Sequence, residues 1–280
     1  MTAPEVWSPS RVLVYRSCPR QEFLRYRHGV HTIQAATSAT TDRPETATRL
    51  RLGTISHAGL EAAYRAAAAS EPLANGEHMS VFADEAMAAI DEAWDRLEMP
   101  SEGVEGFELM SAVQGEVFDV LDRLPVPQSG HVLGVERELV VPTPSGRVMR
   151  GVLDLALQIG PDALHIRDWK RRSLRSLPKS TELPRDDALA FYRYAASFLW
   201  PHLRRVSVGL YSTINNREVT ADAPLLVANE VVIGHDVIAE KAEADREHRP
   251  TPDGSNCTDC RVRVDCPVWT RLGKVSPEPA

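Results

Sequence analysis

The sequence predicts a fold of the α/β or α+β class, and three observations indicate it. Residues from about 50 to 125 show helical periodicity, strand-like alternation begins at His131, and a further helix and strand follow. The 280-residue chain is 43% hydrophobic and 25% charged, which is ordinary for a protein that buries a sizeable core.

The helical part comes first along the chain. The segment up to about Tyr26 is predicted to be helical from Ser8-Pro9 onward, because proline suits the first helical turn. Residues 35–48 have the composition of a loop. Patterns rich in Ala, Leu and Glu then predict helices around 50–69, 80–98 and 107–123.

Strands follow the helices. Residues 131–141, 147–157 and 163–169 alternate as three strands, separated by the turn signals "PTPSG" and "GPD". A helix from about Asp187 to Trp200 comes next, and "RVSVGLYS" (205–212) predicts another strand. No internal repeat is visible.

The hairpin of the second and third strands contains two acids, although its sequence otherwise predicts a buried hairpin. If its turn is centred on Pro161, Asp154 and Asp168 are direct cross-strand neighbours, with Cβ atoms roughly 5 Å apart. Like charges so close are destabilising unless a cation lies between them, and carboxylate oxygens suit Mg²⁺ or Mn²⁺. The alternative is a solvent-facing hairpin with a surface salt bridge.

Two further residues extend this candidate site. Lys170 projects from the same strand face as Asp168, where it could hold a phosphate or orient a water. If the "PTPSG" turn is centred near Pro144, Glu136 lies opposite Val152 and diagonal to Asp154.

The four cysteines indicate a metal centre. Three of them form a C-x2-C-x5-C run, and the fourth lies near the N-terminus. A zinc ribbon usually has two C-x2-C knuckles, whereas this sequence has one such knuckle and two single cysteines. Four thiolates from separated segments therefore favour an iron–sulfur cluster over zinc. Buried free thiols are the alternative. The residues are Cys18, Cys257, Cys260 and Cys266.

Charge and hydropathy bound the environment and the partners. The net charge of −7 argues mildly against a protein that coats nucleic acid, but a local basic cluster at 170–179 permits a local grip. A solvated surface is the alternative for that cluster. With no bilayer-length apolar run and no signal-peptide pattern, the sequence predicts a cytoplasmic protein.

Taken together, these motifs resemble the PD-(D/E)XK nuclease superfamily, and within it the RecB-type branch with an iron–sulfur cluster, which includes CRISPR-associated RecB-like nucleases and the AddB nuclease domain. The likeness runs from "SPSRVLVYRSCPRQEFLRY" to "CTDCRVRVDCP". It implies an α/β restriction-endonuclease-like core, a central mixed sheet flanked by helices, with a helical N-terminal part. It further implies one nuclease domain over 1–272, with a helical segment 50–125 before the core sheet, an iron–sulfur lobe from 8–28 and 250–270, and a flexible tail at 273–280.

The resemblance implies roles for named residues. "GTISH" matches the family's G-x3-H motif and makes His57 a metal ligand; the family's aspartate matches Asp154, and its acid-x-lysine motif matches Asp168 and Lys170. The backbone carbonyl of Trp169 is implied as an extra Mg²⁺ or Mn²⁺ ligand, and the four cysteines as ligands of a 4Fe–4S cluster. Glu136 matches the family's upstream acid.

DNA contacts are implied as well. Tyr192 matches the tyrosine of the family's Q-x3-Y helix, but Ala188 stands where the family has glutamine. Since the basic run begins directly after Lys170, it could steer a phosphate backbone to the site. The residues expected to bind DNA are Tyr192, Arg171, Arg172 and Arg175.

The expected function is that of a metal-dependent exonuclease acting on single-stranded DNA ends. The alternative is a DNA-end-binding or processing subunit of a helicase–nuclease or CRISPR-adaptation assembly, with little activity alone. The intact set of His57, Asp154, Asp168 and Lys170 favours the enzyme. A zinc-stabilised RNA-binding module has little support. No helicase motif is present, so unwinding would need a partner protein.

Overall fold

The computed structural model describes residues 5–27, 44–71, 76–99, 103–128 and 130–251, together with Cys257, Cys260, Val262, Cys266 and Val268. The predicted tail at 273–280, most of the segment 250–270 and residues 35–43 of the predicted loop lie outside these residues. The chain forms two compact units. The terminal unit is Met1–Arg49, Pro142–Arg150 and Ile233–Ala280, and the central unit is Leu50–Val141 and Gly151–Val232.

The helices and strands agree closely with the predicted elements. The α-helices in the described ranges are α1 (Pro9–Ser17), α2 (Pro19–Glu22), α3 (Pro44–Ala69), α4 (Ala83–Arg96), α5 (Gly103–Arg123), α6 (Asp187–Leu199) and α7 (Leu225–Ala244). The strands are β1 (Val132–Pro142), β2 (Val148–Gly160), β3 (Ala163–Lys170), β4 (Arg205–Ser212) and β5 (Arg217–Asp222). Of these, β5 and α7 were not predicted. The helix α3 begins at Pro44, so the predicted loop ends earlier than expected.

The five strands form one mixed sheet in the order β1-β2-β3-β4-β5. The pairs β2–β3 and β4–β5 are antiparallel, whereas β3 and β4 are parallel. Parallel neighbours need a crossover connection, and α6 supplies it between β3 and β4. The predicted class, a mixed α/β fold with a central sheet flanked by helices, is confirmed.

The core of the central unit lies between one face of the sheet and the helices α3, α4 and α5. Leu155, Trp169 and Tyr211 project from the sheet into this core. A Cβ atom on Gly59 of α3 would lie 2.9 Å from the side chain of Ile90 on α4, so a larger residue would force these helices or that side chain to shift. By strand alternation, Asp154 and Asp168 lie on the opposite face from Leu155 and Trp169.

The terminal unit is built around Trp7, whose side chain is fully buried. Its backbone pairs with the start of β2, donating to the carbonyl of Val148 at 3.1 Å and accepting from the N–H of Arg150 at 2.8 Å. The α1 helix begins where it was predicted to begin, and the Ser8 hydroxyl caps it by accepting from the N–H of Arg11. Among the described residues, no helix combines the length and the apolar composition needed to span a membrane.

Candidate active site

The two hairpin acids lie side by side at the paired ends of β2 and β3. The register pairs Leu155 with Arg167 and Ala156 with Ile166, which is the register predicted from a turn at Pro161. The ladder ends at Leu155 and Arg167, and continuing its register by one residue places Asp154 across from Asp168. The Asp154 Oδ2 atom accepts a hydrogen bond of 2.7 Å from the backbone N–H of Trp169. Both acids are buried, with exposures of 9% and 4%.

Glu136 lies near Asp154 and His57. Its carboxylate oxygen, an oxygen of Asp154 and an imidazole nitrogen of His57 all lie within 4.8 Å of one another. The predicted diagonal placement opposite Val152 assumed a turn centred on Pro144. The turn is instead closed by the N–H of Thr143 donating to the carbonyl of Arg147, which centres it on Ser145.

Local backbone conformation also changes the course of β1 at this acid. Glu136 has φ +43°, in the left-handed region that is uncommon for residues other than glycine. Backbone in this region bends or bulges a strand and redirects the side chain. Regular strand alternation therefore does not determine the direction of the Glu136 side chain.

His57 projects from α3 and contacts both hairpin strands. Its Nε2–H donates to the backbone carbonyl of Trp169 at 2.8 Å, and its Nδ1 atom lies 3.7 Å from Asp154 Oδ2. Metal-binding histidines are commonly held by such a hydrogen bond from the other ring nitrogen, which fixes the tautomer. The lone pair of Nδ1 is thereby directed toward the carboxylates.

Asp168 and Lys170 form an ion pair beside this trio. The Lys170 Nζ atom lies 2.5 Å from Asp168 Oδ2. Burial alone would lower the pKa of Lys170, but the charges of Asp168 and Asp154 outweigh it and raise the pKa above its usual value. Lys170 is therefore a cation at neutral pH.

The surroundings raise the pKa values of the three acids, so that they ionise less readily than usual. Burial, together with the charges of Asp154 and Glu61, raises the pKa of Glu136 to about 7. Burial also raises the pKa of Asp154, and burial and the charge of Asp154 raise the pKa of Asp168. The pKa of His57 is lowered, chiefly by burial, which keeps the imidazole neutral and able to bind a metal.

This donor set fits a divalent cation. Three carboxylates and one neutral imidazole are the oxygen-rich ligands that Mg²⁺ and Mn²⁺ prefer. A bound positive charge would favour the ionised form of these acids, whose pKa values are raised in its absence. The structure brings two of the expected metal ligands, His57 and Asp154, within 4.8 Å of each other and of Glu136, which was expected only as a catalytic acid. Asp168, also an expected ligand, is paired with Lys170.

Glu61 was missed by the sequence analysis. It follows His57 by one helical turn on α3, and its charge raises the pKa of Asp154 and of Glu136. An ion pair with Arg65, 2.6 Å between Oε1 and Nη2, holds the carboxylate. The four-residue spacing from His57 in "HAGLE" was the available signal, because such residues share a helix face.

Tyr192 is a buried neighbour of the site. Its hydroxyl donates a 2.5 Å hydrogen bond to the backbone carbonyl of Val152 on β2, and only 8% of the residue is exposed. This close packing depends on Gly151, since a Cβ atom there would lie 2.8 Å from the ring of Phe191. Ala188 lies in the first turn of the same helix, α6, with its N–H bonded to the capping Asp186.

The predicted DNA-binding arginines differ in their surroundings. Arg171 is half-buried and pairs with Glu116 of α5, at 3.1 Å between Nε and Oε2. Arg172 and Arg175 are exposed. The hydroxyl of Tyr192 and the guanidinium of Arg171 are therefore both engaged within the protein.

The cysteines belong to the terminal unit. All four are free and half-buried. Apart from the trio of His57, Glu136 and Asp154, no three metal-ligating side chains among the described residues offer ligand atoms within 4.8 Å of one another. Burial, together with the charges of the other three cysteines, raises the pKa of Cys260 to about 11. The expected iron–sulfur cluster is thus not shown by the structure.

Comparison with known proteins identifies the family of the chain. The chain matches the sequence profile of the PD-(D/E)XK nuclease superfamily over residues 6–267. No curated protein matches significantly. Among similar solved structures is the crystal structure of SSO0001, with a TM-score of 0.41 and 14% identity over 95% of this chain and 88% of that one, a likeness too weak to support any inference. Because the profile covers nearly the whole chain, the protein belongs to the PD-(D/E)XK nuclease superfamily.

Proposed function

We propose that the protein is an Mg²⁺- or Mn²⁺-dependent deoxyribonuclease of the RecB type that degrades DNA from single-stranded ends. The observation that supports it best is the cluster of His57, Glu136 and Asp154 beside the Asp168–Lys170 ion pair. Metal-assisted phosphodiester hydrolysis requires groups of this kind. They are a neutral imidazole, three acids whose pKa values are raised, and one lysine.

The metal-binding groups have distinct roles in this proposal. His57, through Nδ1, Asp154 and Glu136 would hold the cation, with Asp168 completing the negative charge around it. When bound, the cation polarises the phosphate and lowers the pKa of a water ligand. The carbonyl of Trp169 orients His57 through their 2.8 Å hydrogen bond, and its second lone pair remains open as the expected extra ligand.

Lys170 acts on the phosphate. It is charged at neutral pH and its side chain is 39% exposed, so the ammonium group can reach a substrate oxygen while the ion pair with Asp168 limits its movement. From there it donates a hydrogen bond to the phosphoryl oxygen on which negative charge increases during attack. The complete set of groups favours an enzyme over a DNA-binding scaffold.

The terminal unit would hold a 4Fe–4S cluster with a structural role. Support comes from the cysteine spacing and from the influence of three cysteines on the pKa of the fourth, Cys260. The sulfurs of a four-iron cluster bind four different irons, so they are spaced more widely than the ligands of one ion. In the cell, a cytoplasmic nuclease of this kind would act with a helicase or a recombination or CRISPR-adaptation partner, since the sequence contains no helicase motif.

Matched linear and circular single-stranded DNA, end-labelled where possible, test the exonuclease proposal. With Mn²⁺, loss of the linear form alone is expected, and EDTA should prevent it. Degradation of both forms would instead identify an endonuclease. Tight binding without degradation of either form would overturn the proposed activity.

A further inference from the structure

A basic groove lies at the end of the sheet where β3 finishes. It has a volume of about 550 Å³, and its lining residues are Ser173, Leu174, Arg175, Asn215 and Arg217. One wall is the segment that follows β3, and the other is the turn between β4 and β5.

Hydrogen bonds between the two walls hold the groove in shape. The backbone N–H of Leu174 donates to Asn215 Oδ1 at 2.6 Å, and the Ser212 hydroxyl donates to the carbonyl of Arg172 at 2.5 Å. Glu116 of α5 ties both walls to the helical layer, because it pairs with Arg171 and accepts a hydrogen bond from Thr213. A groove braced in this way is formed before any ligand binds.

The groove continues from the catalytic strand. Lys170 is the register partner of Ser212, and the N–H of Thr213 donates to the carbonyl of Lys170 at 3.1 Å. The wall that carries Asn215 and Arg217 thus begins beside the lysine of the active site. The other wall begins three residues after that same lysine, at Ser173.

Donors without partners line this surface. Arg175 and Arg217 are exposed, and neither has an ion pair within the part of the chain that the structure describes. Arg171, by contrast, is neutralised by Glu116. The Oδ1 atom of Asn215 is used by Leu174 and Ser212, which leaves its amide NH₂ as a donor. None of the described residues that line the groove is acidic.

We propose that this groove binds the phosphodiester backbone of single-stranded DNA next to the bond that is cut, with Arg175 and Arg217 each contacting a phosphate. The inference rests on the proposed nuclease function and identifies where the substrate strand lies. Two guanidiniums and an amide facing one cavity are the donors that recognise phosphate oxygens. A cavity of this size holds a small ligand, so it suits a short stretch of one DNA strand rather than a duplex.

The test measures binding separately from cutting. Fluorescence anisotropy of labelled single-stranded DNA is recorded in EDTA, over a range of salt concentrations, for the wild type and for the double variant Arg175→Gln/Arg217→Gln. Each lost phosphate contact should reduce the slope of log affinity against log salt by about 0.7, so the double variant should lose about 1.4. Its Kd should rise at least about tenfold at low salt.

Arg205→Gln is the matched control. This exposed arginine lies at the opposite end of β4 and pairs with Asp162, so its removal should leave the slope unchanged. A charge reversal, Arg217→Glu, should weaken binding further than Arg217→Gln, and normal unfolding temperatures would show that the variants are folded.

Equal slopes and affinities for the wild type and the double variant would overturn the groove assignment. That result is independent of the nuclease proposal, because EDTA suppresses cutting throughout. Conversely, groove-dependent binding by a protein that fails to cut in Mn²⁺ would retain the binding surface and reject the activity.

Discussion

The imidazole of His57 and the backbone carbonyl of Trp169 are joined by a 2.8 Å hydrogen bond that connects α3 to the middle residue of the D-x-K motif. The backbone N–H of the same residue, Trp169, donates a hydrogen bond to Asp154. One strand residue therefore orients two candidate metal ligands from different elements through its backbone alone. The indole of Trp169 lies in the core, where it fixes the position of that backbone.

Ionisation of Glu136 should make the metal-free protein less stable as the pH rises. Its folded-state pKa is raised to about 7 from an unfolded value near 4.5, so the folded state binds more protons between these pH values. The stabilisation is complete below about pH 4.5 and is lost as the pH rises to about 7. Glu136→Gln removes this dependence.

Urea unfolding in EDTA at pH 5 and at pH 8 measures the effect. Between pH 5 and pH 8, the free energy of unfolding of Glu136→Gln should rise relative to that of the wild type by on the order of 1–3 kcal/mol. The lower end of this range allows for the partial exposure of Glu136. Parallel pH profiles for the two proteins would show that Glu136 is not under electrostatic strain.

Tyr192→Phe should affect stability rather than DNA affinity. The variant leaves the carbonyl of Val152 without its 2.5 Å hydrogen bond, which costs about 1–2 kcal/mol in a buried setting. Cutting should decrease moderately because β2 carries Asp154 two residues later. An increased Kd for single-stranded DNA in EDTA, with unchanged stability, would support a direct contact instead.

The buried charges on the helical side of the sheet make a strong stability prediction. Glu218 accepts two hydrogen bonds from Arg167, at 2.9 and 2.8 Å, and one of 2.8 Å from His165. Although burial opposes ionisation, these bonds lower the pKa of Glu218 to about 2. Glu218→Gln leaves the buried Arg167 without its counter-charge and should cost about 3–5 kcal/mol in the free energy of unfolding.

Thermal or urea unfolding checks this result. The exposed pair of Arg205 and Asp162 provides the control, because Arg205→Gln should leave the unfolding midpoint unchanged. A small effect of Glu218→Gln, comparable to that of the control, would contradict the assigned network.

The regular parts of the hairpin were predictable because both the turn and the alternation are local. The register that pairs Leu155 with Arg167 follows from the position of Pro161. The placement of Glu136 was harder to predict, because its positive φ departs from the regular alternation that the prediction assumed. The ion pair of Arg171 with Glu116 could not be anticipated, since it joins residues from two distant elements.

The two elements that escaped prediction have weak local signals. The strand β5 has only six residues, with charges at both ends, and its hydrogen bonds come from pairing with β4. The helix α7 contains a run of β-branched residues, "VVI" at 231–233, which lowers helix propensity. Tertiary packing, rather than local preference, determines both.

Cys257→Ser tests the proposed cluster. Anaerobically purified wild-type protein should contain iron and acid-labile sulfide in equal amounts, whereas the variant should lose both and unfold at a lower temperature. Zinc in place of iron, or an unaltered unfolding temperature in the variant, would contradict an iron–sulfur cluster with a structural role.

Comparing the wild type with Asp154→Asn in the presence and absence of Mn²⁺ tests the central claim most directly. Asparagine retains an oxygen that can accept the N–H of Trp169 but removes the charge that the metal requires. The wild type should gain thermal stability with Mn²⁺ and cut DNA, whereas the variant should stay folded, gain no stability and cut at least about a hundredfold more slowly. Equal Mn²⁺ stabilisation and equal cutting by the two proteins would show that the catalytic metal does not bind at this site.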